Sequence, residues 1–433
     1  MTVAIGERAD VQAGVSAASW RIVLLASLGG TLEFFDFVIF GIFARDIAAT
    51  IFPHASPLAS LMASFAAFAA GYFARPLGGI VLSHFGDRYG RRRVFVWSVF
   101  VMSLATLGMG LVPSYAQWGA ASSALMVALR LVQGFCLGGE LPGALTYVVE
   151  AAPSVAPFVC GVVFACVTLG VAVATGVSLT LGAVLAPEQV PVLAWRLAFV
   201  IGGLGGVLSF VLRRSLEESP EFARMRSLAS RHPFRDLWRT HTAPVLAGAA
   251  MLAATACFNG LFFSHLPAHL AGVLRYDPRY AVYAQTVGVI ASSLGILAVG
   301  WLGDRVAPKH LLRLGAALLA LLAYPFYAAL ETRAADLTIV LALAGLVSGL
   351  TNGSFACLLT DLFPTRIRFT GVALVFNISF TIFSGTAPLA ATTLIRELGG
   401  PRAPAALMVG CGLLALLGSL GGDRYGGHVL ARR

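Results

Sequence analysis

Twelve long apolar runs follow one another along the chain, and they constrain the fold more than any other feature. A helix that crosses a bilayer needs about 20 predominantly apolar residues, and short polar segments separate runs of that length. The sequence therefore predicts an all-α integral membrane protein with twelve transmembrane helices. The predicted spans cover approximately residues 20–44, 57–82, 93–112, 119–149, 157–185, 195–213, 243–271, 280–302, 310–330, 336–361, 368–395 and 403–421.

The composition supports a lipid environment. Hydrophobic residues make up 58% of the 433 residues and charged residues only 12%, which is about half the charged share of soluble domains. A soluble chain of this length could not bury so much apolar surface, so the lipid bilayer is an expected partner. The formal net charge is +10, but the basic residues sit in short loops on one side, as membrane orientation requires. We therefore expect no nucleic-acid partner.

Two short charged loops lie half a chain apart. Gly86–Arg93 contains Asp87 and three consecutive arginines, and a weaker copy, Gly303–Arg305, begins 217 residues later. The acids Glu150 and Asp361, each three residues before a proline, repeat at a distance of 211 residues. Secondary transporters are often built from such repeats, with the solute site between the two halves. We expect an N-terminal segment 1–19, a six-helix bundle 20–213, a linker 214–242, a second six-helix bundle 243–421 and a tail 422–433.

The basic residues also predict the orientation of the chain. With the N terminus inside, the inner segments carry 21 lysines and arginines and the outer segments carry seven, while Arg75 and Arg130 lie within spans. Positive residues concentrate on the cytoplasmic side, so both termini are expected there. No apolar leader precedes Trp20, and no cleavable signal is expected. All basic residues except Lys309 are arginines, a bias that indicates a GC-rich bacterium and hence its inner membrane.

The sequence contains little that indicates catalysis or metal binding. All six cysteines fall inside apolar runs without metal-ligand spacing, so a metal site or a disulfide framework is not expected. There is also no nucleophile elbow and no phosphate-binding loop. We expect a protein that is not an enzyme, that needs no cofactor and that uses the proton as its coupling ion.

Four charged residues fall well inside predicted spans, where burial is expensive: Glu33, Asp36, Arg130 and Glu140. Glu33 and Asp36 are three residues apart and share a helix face. A carboxyl group in a low-dielectric cavity can change protonation as a nearby arginine approaches or leaves. We predict that Asp36 carries the proton with Glu33 beside it, and that Arg130 is either the alternating partner of Asp36 or an anchor for a solute carboxylate. A permanent structural ion pair, or water-facing charges at a span end, is the alternative.

Polar and aromatic residues on opposed helices are the usual lining of an organic-solute site. The seventh and eleventh spans both offer such residues in the second half. His265 is as well explained by helix packing, Asn377 by a hydrogen bond between helices, and the role of Arg75 stays open. The predicted solute-binding set is Arg130, Glu140, Asn259, Phe262, Phe263, His265 and Asn377.

Several motifs occur in order from the first span to the eleventh. Gly30–Phe37 places an aromatic pair between Glu33 and Asp36, and Gly86–Arg92 forms the charged loop. In this order and content the motifs resemble those of the major facilitator superfamily, and within it the metabolite:proton symporters, which include permeases for 2-oxoglutarate, citrate, shikimate and proline/betaine. Further matching segments are Arg130–Phe135, Gly138–Glu140, Gly143, Glu150–Pro153, Trp195–Arg196, Leu216–Phe222, Leu362–Gly371 and Asn377.

The resemblance implies the major facilitator fold and roles for particular residues. Asp36 and Arg130 fall at positions similar to the protonation switch of related sugar porters. A charge network with Asp87, Arg91 and Glu150 is implied to close the cytoplasmic side in the outward-open state. The second loop copy lacks the arginine tail of the first, so closure is expected to be weaker in the second half. The full predicted gate is Gly86, Asp87, Arg88, Gly90, Arg91, Glu150, Asp304, Arg305 and Asp361.

These features together predict a secondary transporter that imports a small organic solute, a carboxylate or a zwitterion, with protons by alternating access. A single chain is expected to function as a monomer. The first alternative is a proton-coupled exporter of organic compounds or drugs on the same fold. The second, from another class, is a membrane sensor that binds its ligand without transporting it, although no cytoplasmic output domain is recognisable in the sequence.

Overall fold

A computed structural model describes residues 17–54, 56–215 and 233–430, and this part of the chain is helical without β-strands. Eleven of the described helices are long and apolar enough to cross a membrane. A twelfth span is formed by Thr242–Met251 and Ala253–Val273, which meet at an angle of 42°. The prediction of twelve spans is therefore confirmed. The predicted N-terminal segment up to residue 16, the motif Leu216–Phe222 with the following linker residues to 232, and residues 431–433 lie outside the described residues.

The first half contains six spans, each consisting of one uninterrupted helix. Two short helices, Ala44–Ile51 and Tyr115–Trp118, follow the first and third spans. The spans are Ala17–Ile42, Pro57–Tyr89, Arg91–Leu111, Ala120–Ala151, Ala156–Val184 and Trp195–Arg213.

The second half is more interrupted. Its seventh span bends after Met251, and its tenth span breaks between Asn352 and Phe355. The eleventh span passes through a π-helical segment, Phe380–Gly385, between two α-helices. The described linker contributes one helix, Pro233–Thr240. The remaining helices of the second half are Pro278–Leu302, Pro308–Thr332, Leu337–Asn352, Phe355–Asp361, Arg368–Ser379, Ala387–Leu398 and Ala405–Gly422.

The turn between the second and third spans consists of one residue, Gly90, whose φ is 114°. That backbone region favours glycine, which has no Cβ. The motif Gly86–Arg92 predicts a loop that includes both Gly86 and Gly90. For Gly86 this is wrong, because the second helix continues to Tyr89. The absent side chain of Gly86 serves close packing instead.

Small residues allow several spans to approach closely. A Cβ added to Gly134 would lie 2.0 Å from the carbonyl oxygen of Gly71, and one added to Gly138 would lie 2.1 Å from that of Arg75. The second and fourth spans thus pack backbone to backbone, as small residues permit in membrane proteins. Between the halves, Gly161 of the fifth span meets Gly300 of the eighth in the same way, at 2.9 Å.

The twelve spans alternate in direction, so the connections after the even-numbered spans share one side of the molecule. This side includes the arginine-bearing loop at Gly90, and we call it the arginine-rich face. The eleventh span of the second half packs there against the second and fourth spans of the first half. The predicted charged residues are therefore brought together by contacts between the two halves as well as within them.

Candidate functional site

One face of the first span organises the buried charges of the first half. Gly29, Glu33, Asp36 and Phe40 are four, three and four residues apart, so they lie along one side of the helix. Buried arginines from three other spans meet this side at successive levels. We call the six charged residues involved the charge ladder. They are Glu33, Asp36 and Glu140 with Arg75, Arg130 and Arg213.

The level farthest from the arginine-rich face joins Asp36 to Arg130 through two neutral side chains. Thr106 Oγ1 donates a hydrogen bond to Asp36 Oδ2 at 2.8 Å, and Gln133 Nε2 donates to Thr106 Oγ1 at 2.9 Å. Arg130 donates to Gln133 Oε1, and its guanidinium lies 3.7 Å from the centre of the Phe40 ring. The acid and the arginine are thus linked but not directly paired.

The space around Asp36 is shaped by a glycine in the sixth span. A Cβ added to Gly202 would lie 2.1 Å from Asp36 Oδ1, so the carboxyl group occupies the room that the glycine leaves. Asp36 Oδ1 itself has no hydrogen-bond partner among the described residues. The acid is 2% exposed, and one of its oxygens is therefore buried without a hydrogen bond from the described residues.

The middle level pairs Glu33 with Arg75 loosely. Arg75 Nη2 lies 3.7 Å from Glu33 Oε1, and neither carboxyl oxygen of Glu33 has a hydrogen-bond partner among the described residues. The Arg75 guanidinium lies 5.7 Å from the ring centre of Tyr72 and 5.9 Å from that of Phe376. Because Phe376 belongs to the eleventh span, Arg75 contacts both halves. The structure thus places this arginine at the interface, a position that its sequence context did not reveal.

The innermost level is a well-formed ion pair that sequence reasoning missed. Arg213 Nη1 donates to Glu140 Oε1 at 3.1 Å, and Arg213 Nε donates to the carbonyl oxygen of Leu25 at 3.1 Å. Its guanidinium lies 4.0 Å from the centre of the Phe95 ring. A Cβ added to Gly29 would lie 1.4 Å from Arg213 Nη2, so the glycine makes room for the arginine.

The orientation count includes Arg213 among the arginines of the inner segments, but its side chain is fully buried within the first half. Arg213 ends an apolar run, where composition does not distinguish an inward from an outward side chain. Its partner Glu140 was predicted to bind solute. The structure shows Glu140 paired with Arg213 within the first half, and its role in solute binding stays a prediction.

The predicted residues of the second half separate into different environments. Asn259 Nδ2 donates to Asn352 Oδ1 at 3.3 Å, joining the seventh span to the tenth beside its break. Asn352 was not predicted, although its position next to Gly353 was a usable signal. Asn377 Nδ2 donates to the carbonyl oxygen of Gly138 at 2.7 Å, a direct bond between the halves.

The aromatic and histidine residues of the seventh span point in two directions. Phe263 lines a crevice of about 270 Å³ between the halves, together with Val38 of the first span. Phe262 stacks on Phe258 at 4.9 Å in the core of the second half. His265 lies 5.2 Å from the ring of His269, which in turn meets Tyr327 of the ninth span at 5.6 Å. The known contacts of His265 thus do not place it in the crevice, and the sequence grouped residues that the structure separates.

At the arginine-rich face, a buried charge cluster ties the halves together. Arg91 forms an ion pair with Glu150 and lies 3.3 Å from Asp87 Oδ1. Arg368 Nη1 of the second half donates to Glu150 Oε1 at 2.9 Å. Thr370 donates to Asp87 Oδ2 from both its backbone nitrogen and its hydroxyl, each at 2.8 Å. We call these five residues the interhalf cluster.

Two glycines next to the interhalf cluster receive an aromatic ring. A Cβ added to Gly86 would lie 2.3 Å from the ring of Phe369, and one added to Gly143 would lie 3.0 Å from it. Phe369 is fully buried, so the eleventh span inserts this ring between the second and fourth spans. The guanidinium of Arg88, by contrast, lies 5.0 Å from the neighbouring Tyr89 ring at the surface.

The second copy of the charged loop is arranged differently. The guanidinium of Arg305 lies 3.6 Å from the Trp301 ring, one turn away in the same segment. Asp361 Oδ1 accepts hydrogen bonds from the backbone nitrogens of Val429 at 2.6 Å and Leu430 at 2.8 Å. Asp361 Oδ2 accepts a third bond, from the nitrogen of Gly427 at 2.7 Å. The acid therefore holds the C-terminal tail.

Comparisons with known proteins agree on one family. A family model described as Major Facilitator Superfamily matches residues 26–388. The citrate-proton symporter of Klebsiella pneumoniae is 33% identical over 420 residues, which cover 94% of each chain. The glycine betaine/proline/ectoine/pipecolic acid transporter OusA of Dickeya dadantii (strain 3937) is 28% identical over 431 residues, covering 92% of this chain and 82% of the relative.

Solved structures show the same fold at lower identity. The proton:xylose symporter XylE bound to 6-bromo-6-deoxy-D-glucose superposes with a TM-score of 0.78 at 16% identity, over 95% of this chain and 96% of the other. The partially occluded inward-open conformation of the xylose transporter XylE from E. coli gives a TM-score of 0.68 at 17% identity, over 95% and 98%.

Proposed function

Because the chain belongs to the Major Facilitator Superfamily, we propose that it imports a small organic solute together with protons. The solute is a carboxylate or a zwitterion, and alternating access of the two halves moves it. The names of the relatives support both cargo classes, since one is a citrate-proton symporter and another a betaine and proline transporter. The proton serves as the coupling ion, and no cofactor is required.

The observation that carries this proposal is the indirect link between Asp36 and Arg130 through Thr106 and Gln133. Asp36 is the proton-carrying residue. In its neutral form it needs no counterion, and the bond from Thr106 is retained. When it ionises, the nearby Arg130 becomes an electrostatic partner. A rearrangement of the first and fourth spans can therefore follow the protonation state of one buried acid.

The interhalf cluster is the gate of the proposed cycle, and the arginine-rich face is the cytoplasmic side of a bacterial inner membrane. Glu150 accepts bonds from arginines of both halves, so the gate must break when this face opens. An even number of spans then leaves both termini in the cytoplasm. The excess of arginines on this side supports the orientation. One chain contains both halves and the crevice between them, which supports function as a monomer.

Proton movement into proteoliposomes tests the proposal. Vesicles with the purified protein in known orientation receive citrate, 2-oxoglutarate, shikimate, proline or betaine in turn, while a trapped dye reports internal pH. We expect one of these solutes to enter with protons. Asp36→Asn is expected to abolish proton-driven accumulation while the protein stays folded, because the amide cannot bind and release a proton. Asp46→Asn, in the short helix Ala44–Ile51, is the matched control and should retain it.

Unchanged coupling in the Asp36→Asn variant would remove Asp36 from the mechanism. Solute leaving the vesicles as protons enter would replace import by the exporter alternative. Saturable binding of a solute without movement in either direction would favour the sensor.

A further inference from the structure

We propose that Arg75 binds the anionic group of the solute, and that a proton on Glu33 releases Arg75 for this task. The inference rests on the proposed function and assigns a substrate-binding role to a residue whose sequence context left it open. It makes the solute a carboxylate. It also makes the middle level of the charge ladder the point at which proton and solute meet.

The three arginines of the charge ladder differ in how firmly they are held. Arg213 donates to Glu140 and to the carbonyl of Leu25. Arg130 donates to Gln133 and lies against the Phe40 ring, and its Nε and Nη2 have no acceptor among the described residues. Arg75 donates no hydrogen bond within the described residues, and its Nε and Nη2 are buried without an acceptor. A buried guanidinium with free donors is costly, so an acceptor supplied by a ligand is favoured there.

Arg75 is also the arginine of the ladder placed to meet a solute between the halves. Within the described residues, the contacts of Arg130 and Arg213 stay in the first half, whereas Arg75 lies 5.9 Å from the Phe376 ring of the eleventh span. The next residue, Asn377, has an Oδ1 without a donor. A solute carboxylate at this interface would accept hydrogen bonds from the Arg75 donors, and a hydroxyl or protonated carboxyl group of the same solute can donate to Asn377 Oδ1.

Glu33 controls Arg75 because it is the nearest opposite charge, and it holds the arginine weakly. The charges acting on Glu33 come from Arg75 of the second span, Glu140 of the fourth, Arg213 of the sixth and Asp36 of its own helix. Glu140 is itself engaged by Arg213 at 3.1 Å. When Glu33 takes a proton, Arg213 therefore keeps its counterion and Arg75 loses its own.

The charge balance then specifies what Arg75 binds. With every residue ionised, the three acids and three arginines of the ladder sum to zero. A proton on Glu33 leaves one positive charge inside the protein, and one carboxylate group of the solute compensates it. An uncompensated buried charge is unfavourable in a low-dielectric region. The proton and the solute carboxylate therefore bind best together. A zwitterion restores this balance less well, because its own cation must be accommodated nearby.

Exchange of labelled for unlabelled solute across proteoliposomes tests the inference, since exchange requires binding but no net proton movement. Citrate and 2-oxoglutarate are the carboxylate probes, and betaine is the zwitterionic probe. The variants are Arg75→Gln, Glu33→Gln and the double variant Glu33→Gln/Arg75→Gln. The double variant removes both charges of the pair and protects against a folding defect caused by one unpaired charge. Arg396→Gln, an exposed arginine bound to its neighbour Glu397, is the matched control.

We expect Arg75→Gln and the double variant to raise the half-saturation concentration of the transported carboxylate about 10- to 100-fold, as the loss of a charge-assisted hydrogen bond predicts. Glu33→Gln mimics the protonated acid, so its half-saturation concentration should stay low and lose most of its dependence on pH between 5.5 and 8. This window spans about two and a half pH units around neutrality. Arg396→Gln should behave as the wild type.

A half-saturation concentration within about twofold of wild type in the double variant would overturn the inference, because about 0.4 kcal/mol is below the loss of any charge-assisted bond. Wild-type pH dependence in Glu33→Gln, or exchange of betaine but of neither carboxylate, would overturn it too. These results differ from failure of the proposed function, in which wild-type vesicles accumulate no solute with protons. If the wild type transports solute with protons and substitution of Arg75 has no effect, the proposed function is retained and only the role of Arg75 is rejected.

Discussion

Glu150 and Asp361 end the fourth and tenth spans at corresponding points of the two halves, yet different groups hold them. Glu150 accepts bonds from Arg91 of its own half and Arg368 of the other. Asp361 instead accepts three backbone hydrogen bonds from the C-terminal tail. One acid therefore joins the halves, whereas the other fastens the chain end to its own half.

The loop copies explain the difference. At the spacing of 217 residues, the counterpart of Arg91 is Pro308, which has neither a charge nor a backbone donor. Asp361 therefore lacks the arginine that Glu150 has, and backbone N–H groups of the tail take its place. Gly427, with a φ of 106°, lets the tail turn back, and Val429 is 3% exposed in the core. In the second half, hydrogen bonds from the tail to Asp361 thus stand where the first half has an arginine. A comparison of the two loop sequences could not reveal them.

The contacts of the two acids also differ in whether they join the halves. The contacts of Glu150 and Asp87 cross between the halves, so they must be lost when the arginine-rich face opens. The contacts of Asp361 stay within the second half and can persist throughout the cycle. Duplicated acids at matching positions thus serve different purposes because their partners differ.

The largest effect is expected from Glu150→Gln. The amide leaves Arg91 and Arg368 buried without their shared counterion, and breaking a buried ion pair in this way costs about 3–5 kcal/mol. The midpoint of thermal unfolding in detergent should fall clearly. A thiol-reactive dye can measure it, because none of the six cysteines forms a disulfide and all are buried or partly buried in the folded protein. Glu397→Gln is the control, since its partner Arg396 is exposed. Equal midpoints for both variants would show that the cluster contributes little to stability.

A smaller and more local effect is expected from Asp361→Asn. The amide cannot accept all three tail bonds, and each unmet buried donor costs about 1–3 kcal/mol. Hydrogen exchange of residues 427–430 should become faster, while the arginine-rich face stays closed. The matched variant Asp87→Asn loses bonds to Thr370 instead. It should increase the accessibility of this face to thiol reagents without changing exchange in the tail. The same response in both variants would contradict the division between the two acids.

The smallest effect is expected from Gly90→Ala, which tests the two turns rather than the two acids. A side chain at a φ of 114° and a ψ of 140° is strained by about 1–3 kcal/mol. The counterpart of Gly90 in the second loop is Ala307, whose φ is −53°. Ala307→Gly should therefore cost no more than about 1 kcal/mol, through the entropy of the unfolded chain. Unfolding midpoints of the two variants provide the measurement, and a larger loss in Ala307→Gly would reverse the assignment.

Much of the fold was predictable because membrane insertion depends on local composition. Runs of about 20 apolar residues become helices regardless of their neighbours, since lipid offers no other partner for backbone groups. The eighth span, predicted at 280–302, is Pro278–Leu302 in the structure, whereas the second, predicted at 57–82, continues to Tyr89. The end of the second helix was predicted less well, because Gly86 lies within the helix and not in the loop. The helix ends where the backbone dihedral angles stop being helical, and this happens at Gly90.

The candidate site was predictable in part. Residue types showed that Glu33, Asp36, Arg130 and Glu140 would be buried, and all four are. They did not show that Glu140 would bind Arg213 or that Arg75 would lie near the other half. His265 and Phe263 share one span but face different surroundings, since a π-helical segment, Gly260–His265, changes the angular spacing of side chains there.

The sequence by itself determined twelve membrane-crossing helices, their grouping into two related halves and the set of charges that those helices carry into the membrane. These properties follow from hydrophobicity and spacing, which act along the chain. Only the tertiary structure decided which charges meet, because helix rotation and tilt arise from packing among many spans. It placed Arg213 inside the first half, Arg75 between the halves and the tail on Asp361. Each depends on a partner more than 40 residues distant, and an ion pair or hydrogen bond forms only when packing brings both groups within a few ångströms.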